Sequence, residues 1–257
     1  MKRWRSAADS VLDWLSRRGI AAVHGAADAA ALDDYRYEIK FGLAPTALPE
    51  LHAWVRSHRA GFRSAHPDRQ VNSLYFDSAE WQALGDNLAG VPDRAKFRAR
   101  WYGADLSCID GRLELKCKRN QLGRKLTHPL DPPLHLDDRP WHAIVHDLRQ
   151  RDLGVFSRAI DSAPCPTLLV TYRRTYLVSA DGAVRLTVDT DLTTFDQSRE
   201  GMPNLTRKNI APAPSVVEIK GASAMGETVA EIAREVPLRR VAYSKYCAGV
   251  LGGLGPV

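Results

Sequence analysis

From residue 35 onward the chain returns again and again to a period-two alternation of apolar and charged residues, the spacing of a β-strand with two unlike faces. The first such stretch, Tyr35 to Phe41, sets Tyr35, Tyr37, Ile39 and Phe41 against Arg36, Glu38 and Lys40. In the next clear case Lys96, Arg98 and Arg100 alternate with Phe97, Ala99 and Trp101, and then Arg112, Glu114, Lys116 and Lys118 alternate with Leu113, Leu115 and Cys117. Val184 to Asp191 places Arg185, Thr187, Asp189 and Asp191 opposite Val184, Leu186 and Val188, and Val216 to Lys220 places Glu218 and Lys220 opposite Val217 and Ile219. Strands are also predicted over 71–77 and 167–178.

Between the strands the spacing changes to that of amphipathic helices. Helices are predicted over 46–59, where Leu48, Leu51, Trp54 and Val55 share a face, and over 141–151 and 224–235. Residues 78–88 form a partly helical connection ending in a turn at Gly90, Pro92 and Asp93, and 129–140 is a proline-rich loop. Residues 1–34 stand apart as an N-terminal helical extension. Trp4, Ala8, Val11, Leu12 and Leu15 fall at helical spacing before Gly19, and this basic segment either packs on its own domain or docks on a membrane surface or partner. The organisation expected is therefore an extension over 1–34, one domain over 35–250 and a glycine-rich flexible tail over 251–257.

The polar faces of these strands are unusually rich in long charged side chains. A single strand of this kind is a solvated outer face, but several together, interrupted by amphipathic helices, point to another arrangement. The apolar faces then pack outward beneath helices and the charged faces line a closed barrel. The fold class expected is α+β, a closed antiparallel β-barrel tunnel with flanking helices.

Composition adds the sign of the occupant. The 257 residues carry 36 Lys and Arg against 30 Asp and Glu, a formal net charge of +6, which favours an acidic partner. Removing unpaired cations from water costs several kcal/mol each (about that much after relaxation), so such a lumen must be wet, paired with carboxylates or filled by a polyanion. Arg offers phosphate a planar fork and Lys a compact charge, while carboxylates in a basic lumen suit Mg²⁺ or Mn²⁺ bridging to phosphate oxygens. Nucleic acid would call for an exposed basic face with interleaved aromatics, which is not the pattern here. The four cysteines are widely spaced and read as reduced thiols, the histidines show no ligand spacing, and neither a P-loop nor a serine-nucleophile motif occurs. No apolar run approaches the ~20 residues of a membrane span, and no secretory signal is visible, so a cytoplasmic location is expected.

In order along the chain stand YEIKF (37–41), VNSLYFD (71–77), DNLAG (86–90), DRAKFRARWYG (93–103), LELKCKRNQLGRK (113–125), YRRTY (172–176), VRLTVDTD (184–191), VEIK (217–220) and SKY (244–246). This ordered set resembles the VTC domain, the polyphosphate polymerase module of the triphosphate tunnel metalloenzyme superfamily. The resemblance implies a tunnel of about eight antiparallel strands that binds ATP and inorganic polyphosphate and passes the terminal phosphate of ATP to a growing chain. By position, it implies that Arg98 and Arg100 clamp phosphates, joined by Lys40, Lys116, Lys118, Arg174, Arg185, Lys220 and Lys245, with Arg124 and Lys125 in the Gly-Arg-Lys stretch. Lys40, Arg98, Arg100, Lys116 and Glu218 form the catalytic set so implied. Glu218 is the principal metal position, with Glu38, Glu114 and Asp189 as further ligands or water-positioning groups.

Two positions depart from the pattern or leave it open. A basic residue two places before Ser244 is replaced by Ala242, and alternation puts Arg173 and Arg174 on opposite faces, of which the resemblance favours Arg174. Three activities fit the residues. A polymerase is favoured because hydrolytic branches of the superfamily carry Glu-x-Glu-x-Lys on the first strand, where this chain has Arg36-Tyr37-Glu38-Ile39-Lys40. A triphosphatase or polyphosphatase and a non-catalytic polyphosphate-binding module are the alternatives. Export of product would require a membrane-protein partner.

Overall fold

The computed structural model describes residues 36–119, 122–209 and 215–253. The N-terminal extension expected over 1–34 lies outside them. Eight strands close into one antiparallel barrel in the order β1-β10-β9-β8-β2-β3-β5-β6. They are β1 (Arg36–Leu43), β2 (Arg63–Asp77), β3 (Asp93–Tyr102), β5 (Gly111–Arg119), β6 (Leu122–Pro129), β8 (Cys165–Val178), β9 (Val184–Asp196) and β10 (Ser215–Ala222). Two short strands, β4 (Cys108–Ile109) and β7 (Leu134–His135), pair outside the barrel. Closure between β1 and β6 rests on one described residue pair, Arg36 opposite Gly123.

The helices cover the outer faces as the alternation requires. Those of α1 (Leu48–Ser57) and α5 (Gly226–Glu235) insert Leu51, Val55, Val229 and Ile232 against Phe41, Leu186, Val188, Val217 and Ile219. The second outer core forms under α3 (Trp141–Arg149) and α4 (Val155–Ser162). Their Trp141, Ile144, Leu148, Phe156 and Ile160 meet Leu74, Phe97, Trp101, Leu113 and Leu115. Each helix presents its apolar residues at three- and four-residue spacing, so the barrel wall and the helices share one apolar layer. The sequence pattern assigns nothing to α4: eight residues are too few for periodicity to stand out, and packing on the sheet sustains the helix.

The third apolar cluster is inside. Tyr75, Leu168, Val170, Tyr172 and Leu192 pack with Tyr246, Cys247 and Val250 of α6 (Lys245–Gly253) and with Trp81 and Leu84, which flank and enter α2 (Gln82–Leu88). The expected flexible tail over 251–257 thus begins as helix, since Leu251–Gly253 close α6; residues 254–257 are outside the described chain. Asp77 ties these pieces together, accepting from the backbone N–H groups of Ala83 and Leu84 and from the Tyr246 hydroxyl at 2.6 Å. Leu192 can face inward because β9 carries a bulge. Thr171 pairs with Thr193 and Arg173 with Thr190, one residue extra on β9, and Asp191 takes φ 55°. The alternation read through Asp191 therefore breaks there, and Asp191 is exposed.

Expectations for the other strands hold with shifted ends. β2 begins at Arg63 rather than at Val71, because its first seven residues are exposed on both faces and carry no alternation. All four cysteines are free, and among the described residues no helix is long and apolar enough to cross a membrane.

Gly111, at the start of β5 opposite Trp101, lies so close to β3 that a Cβ would sit 2.1 Å from the Arg100 carbonyl oxygen. Since backbone rather than a side-chain tip blocks the space, Gly111→Ala should destabilise by the upper part of the roughly 1–3 kcal/mol typical of overpacking. Urea unfolding of the two chains measures it, and an unchanged midpoint would refute the close approach.

Candidate functional site: a charged lumen

Strand alternation delivers the charged residues to the barrel interior in cross-strand pairs. Glu38 faces Lys220 and Lys40 faces Glu218 across β1 and β10; Arg98 faces Glu114 and Lys96 faces Lys116 across β3 and β5. A narrow inner cavity of about 70 Å³ results. Among the described residues its lining includes eight basic side chains, Lys40, Lys96, Arg98, Arg100, Lys116, Arg174, Lys220 and Lys245, and one carboxylate, Glu218. It joins a vestibule of about 800 Å³, with which it shares Lys40, Lys96, Lys116 and Ser244. Lys118 and Ala242 line the vestibule.

Three buried carboxylates and the half-buried Glu38 hold these cations in two networks. Glu114, 1% exposed, accepts from Arg98 Nε at 2.9 Å and Lys125 Nζ at 2.9 Å, with Arg100 at 3.7 Å. Tyr75 and Ser73 complete the donors' partners, Tyr75 accepting from Arg98 Nη1 and Ser73 from Arg100 Nε, while Tyr172 accepts from Arg100 Nη2. In the second network Asp189, fully buried, receives a fork from Arg174 at 2.6 and 2.7 Å and Lys245 Nζ at 2.5 Å. Glu218 lies 3.7 Å from Arg174, 3.6 Å from Lys245, 3.5 Å from Lys40 and 2.5 Å from Lys220. Glu38 accepts from Lys116 at 2.8 Å and sits 3.4 Å from Lys40.

The electrostatics follow from that crowding. Burial alone would raise the carboxyl groups of Glu38 and Glu218, but lysines outweigh it: Lys116 and Lys220 around Glu38, and Lys220, Lys245 and Lys40 around Glu218. Both are held well below the ordinary carboxylate range. Asp189 is lowered against burial by Lys245 and Arg174, and Glu114 by Arg98 and Arg100. Among the cations, burial and the nearby Lys40 and Lys220 outweigh Glu38 and bring Lys116 down to about 8, whereas Lys40 is raised because Glu218 and Glu38 outweigh its burial.

The structure sorts the residues singled out by sequence. Lys40, Arg98, Arg100, Lys116, Arg174, Lys220, Lys245, Glu38, Glu114, Asp189 and Glu218 meet in the lumen, with Lys125 reaching it through Glu114. Arg174 points in, and Arg173 points out to Asp68. Arg124 is a correction: it is opposite Cys117, whose side chain belongs to the outer core, so Arg124 faces away from the lumen that its neighbour Lys125 enters. Arg185 has the inward parity, opposite Lys220, but is exposed at the end of β9 and does not line the inner cavity. Lys96, Tyr75, Tyr172 and Ser244 were not singled out. Lys96 and Tyr172 share parity with Arg98 and Arg174, so the alternation itself carried the signal for both.

Among the described residues no group of three or more His, Cys, Asp or Glu side chains converges to hold a metal ion. The pair Glu38 and Glu218 nevertheless suits a divalent cation that shares its coordination with phosphate. Both carboxylates converge on Lys40 and Lys220, and the buried Oε1 of Glu38 has no hydrogen-bond partner. Glu114 and Asp189 do not suit one, because both oxygens of each accept from an arginine or a lysine, whereas the Oε1 atoms of Glu38 and Glu218 have no lysine closer than 3.4 Å.

A family model described as the VTC domain matches residues 35–252. Solved structures of similar fold include the PH1819 protein of Pyrococcus horikoshii OT3, 12% identical over 83% of this chain and 94% of that one, with a TM-score of 0.44. A Hippeastrum protein described as an adenylyl cyclase candidate with dominant triphosphatase activity is 15% identical, covering 86% and 97%, with a TM-score of 0.45. A Vibrio parahaemolyticus protein described as an adenylate cyclase candidate is 9% identical, covering 84% and 98%, with a TM-score of 0.46. No curated protein matches the chain in sequence.

Two outcomes test the charge networks. Asp189→Asn strands Arg174 and Lys245, and should cost toward the lower end of the roughly 3–5 kcal/mol of a broken buried pair because Glu218 stays near both. Urea unfolding at pH 7 measures this. For pH the sign is that of depressed carboxylates: their stabilisation is complete above the unfolded values near ~4 and is lost as pH falls through the lower folded ones. Stability should therefore decline as pH falls below about 4, and a stability unchanged from about pH 5 to 3 would contradict the networks.

Proposed function

Since the chain belongs to the VTC domain family, we propose that it is a metal-dependent polyphosphate polymerase, transferring the terminal phosphate of ATP to a polyphosphate chain held in the lumen. The observation that carries this reading is the lining of the inner cavity, where eight basic side chains meet one carboxylate. Cations so crowded repel one another, and a chain of phosphates offsets that repulsion along its whole length.

Each side chain has a task in this scheme. Arg98 and Arg100, already turned into the lumen by Tyr75, Ser73 and Glu114, present forks to non-bridging phosphate oxygens. Lys40, Lys116, Lys220, Lys245 and Arg174 surround the transferred group and offset its charge as the transition state spreads it over the oxygens. Glu38 and Glu218 would hold Mn²⁺ or Mg²⁺, which supplies charge neutralisation on the phosphate oxygens. In the transfer, the bond from the terminal phosphorus to the bridging oxygen of ATP breaks and a bond from that phosphorus to a terminal oxygen of the polyphosphate forms. ADP leaves with the bridging oxygen and its electron pair.

Polymer synthesis fits the acid–base state of the site better than hydrolysis. The acceptor oxygen of a phosphate is already ionised near neutral pH and needs no base. Water does, and the lumen carboxylates are held far below the pKa near 7 that suits a general base. Arg36 on the inward face of β1, where hydrolytic relatives of the superfamily carry Glu, leans the same way.

Incubation of the pure chain with ATP and Mn²⁺ or Mg²⁺ should yield an anionic polymer resolved on a gel. Glu218→Ala and Arg98→Ala should each lower turnover by ~10²-fold or more, as loss of a transition-state charge contact does. Orthophosphate release without polymer would identify a hydrolase. Tripolyphosphate binding that persists in chelator, with no turnover under either metal, would identify a binding module.

A further inference from the structure

Lys96 enters the lumen from β3 two residues before Arg98, yet its ammonium meets only neutral acceptors. Nζ donates to Asn87 Oδ1 at 2.7 Å and to Ser244 Oγ at 2.9 Å. The other lysines lining the inner cavity, Lys40, Lys116, Lys220 and Lys245, each form an ion pair with a carboxylate. Lys96 also lines both the inner cavity and the vestibule, so it stands at the neck between them. Its partner Ser244 keeps a hydroxyl proton free for an anion, since Ser244 Oγ accepts from Lys96 and from the Cys247 backbone N–H.

The surroundings leave this ammonium poorly compensated. Burial is the main cause that pushes Lys96 down to about 7. Cys247 on α6 opposes it, and Lys116 on β5, Lys40 on β1 and Arg94 on its own strand add repulsion, while α2 offers only the neutral Asn87. Tyr243 and Lys118 line the same vestibule. A cation in such a place is stabilised by an arriving anion more than one already paired.

We propose that Lys96 and Ser244 form a further phosphate subsite at the neck, receiving the phosphate group next outward from those held by Arg98 and Arg100. The subsite rests on the phosphate-chain reading of the lumen and extends it toward the vestibule. Binding there is coupled to a proton. Above pH 7 the free amine is largely neutral, and an anion beside it raises its affinity for a proton, so phosphate binding takes one up and weakens as pH rises.

The test uses the full chain and sodium tripolyphosphate without metal, titrated calorimetrically at pH 8 in two buffers of different ionisation enthalpy. The native chain should take up more protons than Lys96→Met, the difference approaching about one, because the ligand's own protons are common to both. Lys96→Met should bind roughly tenfold more weakly at pH 7, the loss of one charge-assisted contact. Lys96→Arg, always charged, should bind nearly as tightly as the native chain but without the extra uptake. Equal affinity and equal proton uptake in the native and Met chains would overturn the subsite. Should the Met chain not fold, equal uptake in the native and Arg chains overturns it. Failure of the native chain to bind tripolyphosphate at all would instead overturn the reading of the lumen, and the subsite with it.

Discussion

Like charges packed inside a closed barrel repel one another, and the architecture is organised around containing that repulsion. Four lumen carboxylates, Glu38, Glu114, Asp189 and Glu218, each hold two or more cations. They arrive from β1, β5, β9 and β10, so that, Lys96 apart, each lysine or arginine lining the inner cavity has a carboxylate partner. The pairing is incomplete by design of the strand faces: the basic residues outnumber the acids on the same parity. Outer apolar layers beneath four helices hold the strands against this residual repulsion. The balance makes the lumen a site of pre-oriented donors, since most of the guanidinium groups are fixed before a ligand arrives.

The two networks divide labour along the barrel. Arg98, Arg100 and Lys125 gather on Glu114, with tyrosine and serine hydroxyls completing the arginine partners. Around Glu38 and Glu218 the partners are mainly lysines, whose flexible stems can swing toward a ligand more readily than a bound fork. Fixed clamp and adaptable pocket therefore lie side by side. Asp77 keeps the second arrangement in place from outside it, because it anchors both the start of α2, which carries Asn87, and Tyr246, next to Lys245.

Much of this was legible in the chain because a β-strand converts alternation into sidedness. The parity of Glu38 and Lys40, of Arg98 and Arg100, and of Glu218 and Lys220 identifies the inward face of each strand from the sequence alone. Sidedness stops being legible where parity breaks or neighbours look alike. Arg124 and Lys125 are adjacent basic residues, and only the register against Cys117 and Lys116 tells which one enters the lumen. The roles of the carboxylates depend on partners from other strands, so nothing local separates Glu218 from Asp189. The helix α6 escaped because its sequence, KYCAGVLGG, has glycines where a helix usually lacks them. Gly249 is needed there, since a Cβ would lie 2.5 Å from Leu168 Cδ2 and 3.0 Å from Thr194 Cγ2.

The extra residue at Asp191 acts as a frameshift written in three dimensions. Upstream of it β9 shows Thr187 and Asp189 to the lumen; downstream the opposite parity is shown, and Leu192 and Thr194 take over. The bulge thus marks where the wall changes from a charged surface to one that seats a helix. Substitutions along β9 alter one side chain at a time, but inserting or deleting a residue on either side of position 191 would exchange whole faces. Chain length in this strand is accordingly more constrained than its letters, and the boundary between the ionic and apolar halves of the barrel is inherited as a spacing.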